Sequence, residues 1–108
     1  MPGFIDNQQG LAKIGEPFYL WFNATAHKRL FWGPCEFGGF RVNAQTTAGT
    51  GLKFYDGLDN TGTLIWQEST PVANAGVVIG PKTPIYCRYG LFVELLGTGQ
   101  NVDTLVGD

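Results

Sequence analysis

Charged side chains are scarce in this sequence. They make up 15% of the 108 residues, whereas an ordinary globular domain has about 25%. The seven basic residues are scattered, apart from Lys28 and Arg29, and the formal net charge is −2. A nucleic-acid-binding domain usually carries a basic stripe, so nucleic acid is not expected as a partner. A small protein with so few charges has difficulty covering its surface with polar groups, which predicts that apolar surface meets another chain in a homo-oligomer.

Cysteine, histidine and long apolar runs are also scarce. The chain has two cysteines, Cys35 and Cys87, and one histidine, His27. A zinc site needs about four such ligands, so neither a metal nor another cofactor is expected. No apolar run approaches the roughly 20 residues that span a bilayer, so no membrane contact is expected. The start of the chain lacks the charged and apolar regions of a secretory signal, which favours synthesis in a cytoplasm and reduced, buried thiols.

Residues that could form a catalytic site are few and lie far apart along the chain. Ser69 is the only serine, and it lies outside any nucleophile elbow of the G-x-S-x-G type. Glu36, Glu68 and Glu94 could supply the two carboxylates of a glycosidase, but solvent-facing strand positions are the better interpretation. The loop 56–62 superficially resembles a calcium loop, yet it lacks the alternate oxygen ligands and the final glutamate, and its Asp and Asn residues favour turns. The sequence therefore predicts a protein that is not an enzyme.

The most informative feature that is present is a series of short β patterns between residues 41 and 103, each ended by a glycine turn. Within these patterns two sets of residues alternate with a period of two, as Leu52 and Phe54 do with Lys53 and Tyr55. One set then faces a core and the other faces outward. Repeated at this spacing, the pattern is typical of a sandwich or barrel. The predicted fold is all-β, a single antiparallel β-sandwich or jelly-roll-like barrel of eight or nine short strands.

The predicted organisation is an extended N-terminal arm, residues 1–15, followed by a β-sandwich domain, residues 16–108. The arm shows no sustained period, so it is either a frayed terminus or a segment whose apolar residues dock on a partner subunit. The next segment, 18–22, is apolar at every position and is predicted to be a strand covered on both faces. The predicted partner-binding residues are apolar side chains of the arm and outward aromatics, namely Phe4, Ile5, Leu11, Ile14, Tyr19, Trp21 and Tyr55.

Four segments resemble a pattern found in small structural proteins of tailed bacteriophages. A Gly-Gly-Phe-Arg-Val-Asn strand, 38–43, leads through a glycine turn to a Lys-Phe-Tyr-Asp-Gly strand, 53–57. A polar loop then leads to Gly-Thr-Leu-Ile-Trp, 62–66, and the chain closes with Cys-Arg-Tyr-Gly-Leu-Phe-Val-Glu-Leu-Leu-Gly-Thr-Gly, 87–99, and a final strand. The resemblance extends over most of the chain, from 33 to 106.

This resemblance implies a β-sandwich or jelly-roll-like virion component without catalytic activity. Such a component would be a capsid decoration (cement) protein that binds and stabilises the assembled shell, a head-fibre base or a tail-associated subunit. The implied partners are further copies of the chain, with a trimer favoured, and the major capsid protein or another virion protein. Proteins of this kind are made in the host cytoplasm and end in the virion. Deletion of residues 1–15 is expected to abolish shell binding and to leave the fold intact.

A carbohydrate-binding module or a receptor-binding tail domain is the alternative. Exposed aromatic side chains on a β-sandwich can stack on sugar rings, and carboxylates and amides around them can bind sugar hydroxyls. Trp66 shares its register with Leu64, however, which favours a core position for Trp66. The side chains concerned are Trp32, Trp66 and the tyrosines for stacking, and Asp56, Asp59 and Asn60 for the polar rim.

Overall fold

A computed structural model describes residues 19–44, 51–69, 77–97 and 99–107 of the chain. Within these ranges the chain forms eight β-strands and no helix, and therefore contains no helix long and apolar enough to cross a membrane. The expected arm, residues 1–15, lies outside the described residues. The strands are β1 (Tyr19–Ala24), β2 (Lys28–Trp32), β3 (Cys35–Ala44), β4 (Leu52–Asp56), β5 (Thr63–Glu68), β6 (Ile85–Cys87), β7 (Gly90–Leu95) and β8 (Asn101–Gly107).

The strands form two four-stranded sheets, sheet A in the order β1-β8-β3-β6 and sheet B in the order β2-β7-β4-β5. The first strand pairs with the eighth, the second with the seventh, the third with the sixth and the fourth with the fifth, always antiparallel. One long hairpin rolled into two facing sheets gives this pairing, which is the jelly-roll arrangement. The predicted all-β fold is confirmed. A ninth strand expected near 76–79 is, among the described residues, a single bridge between Phe40 and Ile79.

Phe37, Phe40 and Phe54 form the centre of the core between the two sheets. All three side chains are fully buried, and the ring centroid of Phe54 lies 4.5 Å from that of Phe37 and 5.4 Å from that of Phe40. Strict alternation would place Phe37 and Phe40 on opposite faces because they are an odd number of positions apart. A β-bulge beside Gly39 shifts the register with β8, and it turns both rings inward. A Cβ on Gly39 would lie 2.8 Å from the carbonyl oxygen of Ile79, so only glycine fits there.

Strand β1 lies at the edge of sheet A, and its position there determines its exposure. Among the described strands, its only paired neighbour is β8. Leu20 is 50% exposed and Trp21 is 40% exposed, whereas Ala24 near the end of the strand is buried. The prediction that this strand is covered on both faces is therefore wrong for the described part of the protein.

Three connections meet at one end of the sandwich, and we call this end the turn end. They are residues 33–34 between β2 and β3, 57–62 between β4 and β5, and 88–89 between β6 and β7. The backbone N–H of Gly33 donates to the carbonyl oxygen of Tyr89 over 3.0 Å. The N–H of Gly57 donates to the carbonyl oxygen of residue 90 over 3.2 Å. These bonds hold the three turns together as one surface.

Candidate functional site

The outer side of sheet A carries aromatic and apolar side chains at matching positions. One row of paired residues crosses β1, β8, β3 and β6, and its members, in that order, are Tyr19, Gly107, Glu36 and Tyr86. All four residues therefore lie on one side of the sheet. The next residues on this side are Trp21 of β1 and its partner in β8, Leu105. We call this surface the aromatic face, and it consists of Tyr19, Trp21, Tyr86 and Leu105.

Tyr19 is held against the sheet by its neighbours. Its hydroxyl donates a hydrogen bond to Oε1 of Glu36. A Cβ on Gly107 would lie 2.7 Å from the Tyr19 ring, so the ring occupies the space above this bare backbone. Burial, together with the bond to Glu36 and its charge, raises the pKa of Tyr19 to about 12. The hydroxyl therefore stays protonated and keeps donating at neutral pH.

Trp21 is held by a chain of charged and polar partners. The guanidinium carbon of Arg41 lies 4.1 Å from the centroid of the Trp21 ring, within the range of a cation–π interaction. Arg41 Nε in turn lies 3.1 Å from Oδ2 of Asp103. The amides of Asn23 and Asn43, followed by Arg41, lower the pKa of Asp103. The Trp21 ring is thus positioned and still partly exposed, which suits a contact surface.

At the turn end, Asp56 fixes the turn between β6 and β7. Its Oδ2 accepts the backbone N–H of Arg88 and its Oδ1 accepts that of Tyr89, both over 2.9 Å. Gly90 follows with φ +148°, and a Cβ there would lie 2.6 Å from the carbonyl oxygen of Phe31. The carboxylate and the glycine together determine where the Tyr89 side chain leaves the backbone.

An open cavity of about 430 Å³ lies beside this turn. Its volume is within the roughly 300–1,000 Å³ of small-molecule sites. It is lined by residues 56–59 and 61–63 together with Tyr89, and the lining includes two carboxylates and two threonine hydroxyls but no cation. Oδ1 of Asp59 accepts bonds from the hydroxyl and the backbone N–H of Thr61, and these bonds lower the pKa of Asp59. The loop is therefore shaped by local turn chemistry.

Two exposed aromatic side chains belong to the turn end, and one of them, Tyr89, lines the cavity. Trp32 is 66% exposed and Tyr89 is 60% exposed. Trp32 pairs with Gly90 at the end of the β2–β7 ladder. Tyr89 is the residue directly before Gly90, so the two aromatic residues belong to the same end of the ladder. The Arg29 guanidinium carbon lies 5.2 Å from the Trp32 ring centroid, and Arg29 Nε donates to the carbonyl oxygen of Leu58 in the cavity wall over 3.0 Å. Arg29 thereby links Trp32 to the cavity.

Among the described contact residues predicted from the sequence, Tyr55 is the one that the structure buries. It pairs with Phe92 on the outer side of sheet B, as its register predicts, but it is only 9% exposed. Its hydroxyl donates to Oε1 of Glu94 over 2.8 Å, and Asn60 donates to Oε2 of the same carboxylate over 3.2 Å. The prediction of an exposed Tyr55 is therefore wrong. Tyr19 and Trp21 lie on the aromatic face, whereas Phe4, Ile5, Leu11 and Ile14 lie outside the described residues.

The side chains named for sugar binding divide into two groups. Trp66 packs against the core, with its ring centroid 6.1 Å from that of Phe37, so it offers no stacking face. Trp32, Asp56 and Asp59 come together at the turn end, where Tyr89 joins them. Nothing in the sequence distinguishes Tyr89 from the other tyrosines, because the pairing of β2 with β7, which places Trp32 opposite Gly90, leaves no trace in the sequence.

The single histidine and two of the candidate carboxylates, Glu36 and Glu94, are hydrogen-bonded at separate places in the fold. Nδ1 of His27 accepts the backbone N–H of Leu95 over 3.1 Å. Glu36 accepts the hydroxyl of Tyr19, and Glu94 accepts that of Tyr55, which lowers the pKa of Glu94. Across residues 19–44, 51–69, 77–97 and 99–107, no three His, Cys, Asp or Glu side chains are grouped so that they could hold a metal ion.

Cys35 and Cys87 are direct partners across β3 and β6. Both side chains are buried, as expected from the sequence, and both thiols are free. The Cys87 thiol donates to the carbonyl oxygen of Ile85 over 3.8 Å. The neighbouring Cys35 thiol and burial raise the pKa of Cys87.

Comparisons of this chain with protein-family models, with curated proteins and with solved structures found no match.

Proposed function

We propose that the protein is a structural protein of a phage virion, a capsid decoration protein that binds and stabilises the assembled shell. The motifs between residues 33 and 106 support the phage assignment, and the jelly roll is a fold that viral capsid proteins use. A fold hosts many functions, so the proposal needs a surface that fits the role.

The observation that carries the proposal is the composition of β1 at the edge of sheet A among the described strands. Edge strands expose unpaired N–H and C=O groups, and proteins usually protect them with charge, proline or short length. Strand β2 contains Lys28 and Arg29, β5 contains Glu68, and β6 has only three residues. Strand β1 has six residues, none of them charged and none of them proline. Among the described edge strands, β1 is the one that needs a partner to cover it.

The aromatic face extends this edge into a contact surface. Tyr and Trp are enriched among the residues that dominate binding energy at interfaces, and Trp21 is exposed directly on β1. Leu20, also on β1, adds a half-exposed aliphatic side chain. In a ring of three subunits, the edge of one subunit would meet a different surface of the next and the ring would close. A trimer would therefore cover every β1 edge.

Stabilisation of a shell would follow from mass action. A protein that binds the assembled shell and not its dissociated subunits shifts the equilibrium toward the shell. Several copies joined in one oligomer would bind a symmetric shell more tightly than single copies, because the later contacts become intramolecular. No reacting group is needed for this role.

A measurement of the oligomeric state tests the first part of the proposal, which is that the chain forms a trimer through the β1 edge. Size-exclusion chromatography with light scattering should give a trimer for the full chain that persists on dilution. Leu20→Lys and Trp21→Lys place charge on the β1 edge and should yield monomers, while Trp32→Lys, an exposed tryptophan elsewhere, should remain trimeric. A full chain that is monomeric at high concentration would contradict the proposal.

Cosedimentation with purified shells of a tailed phage tests the second part of the proposal, which is that the protein binds the assembled shell. The full chain should sediment with the shells, and a chain that lacks residues 1–15 should remain in the supernatant with an unchanged circular dichroism spectrum. Full binding by the shortened chain would remove the arm from the proposed interface. Failure of the full chain to bind would contradict the decoration role.

A further inference from the structure

The turn end has features that shell binding does not require. Trp32 and Tyr89 are among the most exposed large apolar side chains of the described protein. Tyr89 lines a cavity that also offers carboxylates and hydroxyls from Asp56, Asp59 and Thr61, and Trp32 is connected to the wall of this cavity through Arg29. The rings lie outside the aromatic face, because Trp32 belongs to sheet B and Tyr89 to the turn between β6 and β7.

The chemistry of this surface fits one class of ligand. The apolar face of a sugar ring, made of C–H groups, packs on an exposed aromatic ring, and tyrosine and tryptophan provide such rings with a polar atom at the edge. Sugar hydroxyls donate to carboxylates and exchange hydrogen bonds with threonine hydroxyls. A nucleic acid or an acidic sugar would instead place negative charge beside Asp56 and Asp59 of the cavity lining. The neighbouring cations, Arg29 and Arg88, lie over the rings of Trp32 and Tyr89 and are not part of that lining.

We infer that the turn end is a binding site for a neutral oligosaccharide. One sugar ring occupies the cavity and packs on Tyr89, while Asp59 and Thr61 bind its hydroxyls. The adjoining sugar packs on Trp32. Binding involves no covalent step.

The site is largely formed before any ligand binds. Both oxygens of Asp56 are engaged by the backbone of the 88–89 turn, which holds Tyr89 in place. Arg29 contacts the ring of Trp32 and the carbonyl oxygen of Leu58. Side chains held in this way lose little conformational freedom on binding, so less of the interaction energy is offset by ordering.

Isothermal titration calorimetry with four neutral hexasaccharides, built from glucose, mannose, galactose or N-acetylglucosamine, tests the inference. At least one should bind the full chain with a Kd below about 1 mM. Trp32→Ala and Tyr89→Ala should each raise that Kd about ten-fold or more, equivalent to about 1.4 kcal/mol. Absence of binding to all four at millimolar concentration, or unchanged binding by both variants, would overturn the inference.

The chain offers a close control for loss of an exposed tyrosine. Tyr86 is 62% exposed, which matches Tyr89, but it lies on the aromatic face. Tyr86→Ala should leave the Kd unchanged, and an equal loss in both tyrosine variants would overturn the assignment to the turn end. Unchanged circular dichroism spectra are expected for all three alanine variants, and unchanged thermal midpoints are expected for Trp32→Ala and Tyr89→Ala, whose exposed rings lie outside the aromatic face.

The charge of the cavity gives a second readout. A hexamer of galacturonic acid should not bind the full chain, whereas Asp59→Asn should allow weak binding, because asparagine can still accept the bonds from Thr61 without the negative charge. Tighter binding of the acidic hexamer than of every neutral one would overturn the inference. A negative result in these titrations would leave the oligomer and shell experiments unaffected, since those use residues of β1 and the arm.

Discussion

The buried hydroxyl group of Thr104 should lower the stability of the fold. Replacement of Thr104 by valine should therefore raise the free energy of unfolding. Thr104 lies in β8 between Phe22 of β1 and Phe40 of β3. It is completely buried, and its hydroxyl oxygen has no hydrogen-bond partner in the part of the chain that the structure describes. Its neighbours on the inner side of the same strand are Val102 and Val106, both buried in the core. A hydroxyl is thus enclosed in surroundings that are otherwise apolar.

The size of the effect follows from the two groups exchanged. An unpaired buried hydroxyl costs about 1–3 kcal/mol in proteins. Valine has nearly the shape of threonine, so Thr104→Val removes the hydroxyl without opening a cavity. We expect the free energy of unfolding to rise by about 1 kcal/mol. In a domain of this size the thermal midpoint should then rise by about 4 °C.

Urea unfolding followed by tryptophan fluorescence measures this change, at one protein concentration because oligomerisation adds to apparent stability. Thr63→Val, at an exposed position of β5, should alter stability by less than about 0.5 kcal/mol. Thr104→Ser keeps the hydroxyl and deletes a methyl group, so it should lose about 1 kcal/mol. A decrease in stability for Thr104→Val, with an unchanged urea dependence, would refute the reasoning and indicate a stabilising partner for the hydroxyl.

Three further perturbations have clear expected outcomes. Gly90→Ala places a Cβ within 2.6 Å of the carbonyl oxygen of Phe31 at φ +148° and should lower the free energy of unfolding, measured in urea, by about 2–3 kcal/mol. Gly33→Ala should lower it less, because φ at Gly33, +88°, is also unfavourable for alanine but the added Cβ would meet nothing within 4 Å. Diamide should oxidise Cys35 and Cys87 to an intramolecular disulfide, because paired positions of antiparallel strands lie within disulfide reach; mass spectrometry that found either thiol still alkylatable would contradict this. The pKa of Asp103 is lowered below its usual 3.8, so its stabilising contribution is present above that pH and is lost as pH falls through the lowered value. Asp103→Asn should therefore reduce the thermal midpoint at pH 7 more than at pH 2, and an equal reduction at both would count against the charge argument.

The fold was largely predictable because strands leave a direct mark on the sequence. Alternation with a period of two and glycine turns located the eight strands of the jelly roll, since each strand buries one side. Residues beside a β-bulge are harder to assign to the inner or the outer side of a sheet. Alternation predicts that Leu64 and Trp66 of β5 lie on the same side of the sheet. The pairing with β4, however, shifts by one residue between Phe54 and Tyr55. Trp66 therefore faces the core and Leu64 is exposed.

The candidate sites were less predictable because they depend on which strands become neighbours and on how nearby side chains bury a residue. Tyr55 has the outward register that alternation assigns, yet hydrogen bonding to Glu94 and packing near Phe92 bury it. Trp32 and Tyr89 are far apart in sequence and belong to the same end of the fold because β2 pairs with β7, which places Trp32 opposite Gly90. Period-two patterns identify which side of a strand is buried, but they carry no information about which strands become neighbours.

The two proposed surfaces can be tested independently because the jelly roll places them on different elements. Trp21 belongs to β1 at the edge of sheet A, and Trp32 ends β2 at the edge of sheet B. Residues without shared partners usually have additive effects. A variant carrying both Trp21→Lys and Trp32→Ala should therefore lose oligomerisation as the first change alone does and lose oligosaccharide affinity as the second alone does. If Trp21→Lys also abolished sugar binding, the saccharide site would have to include residues of a second subunit, and the turn end of one chain could not be the complete site.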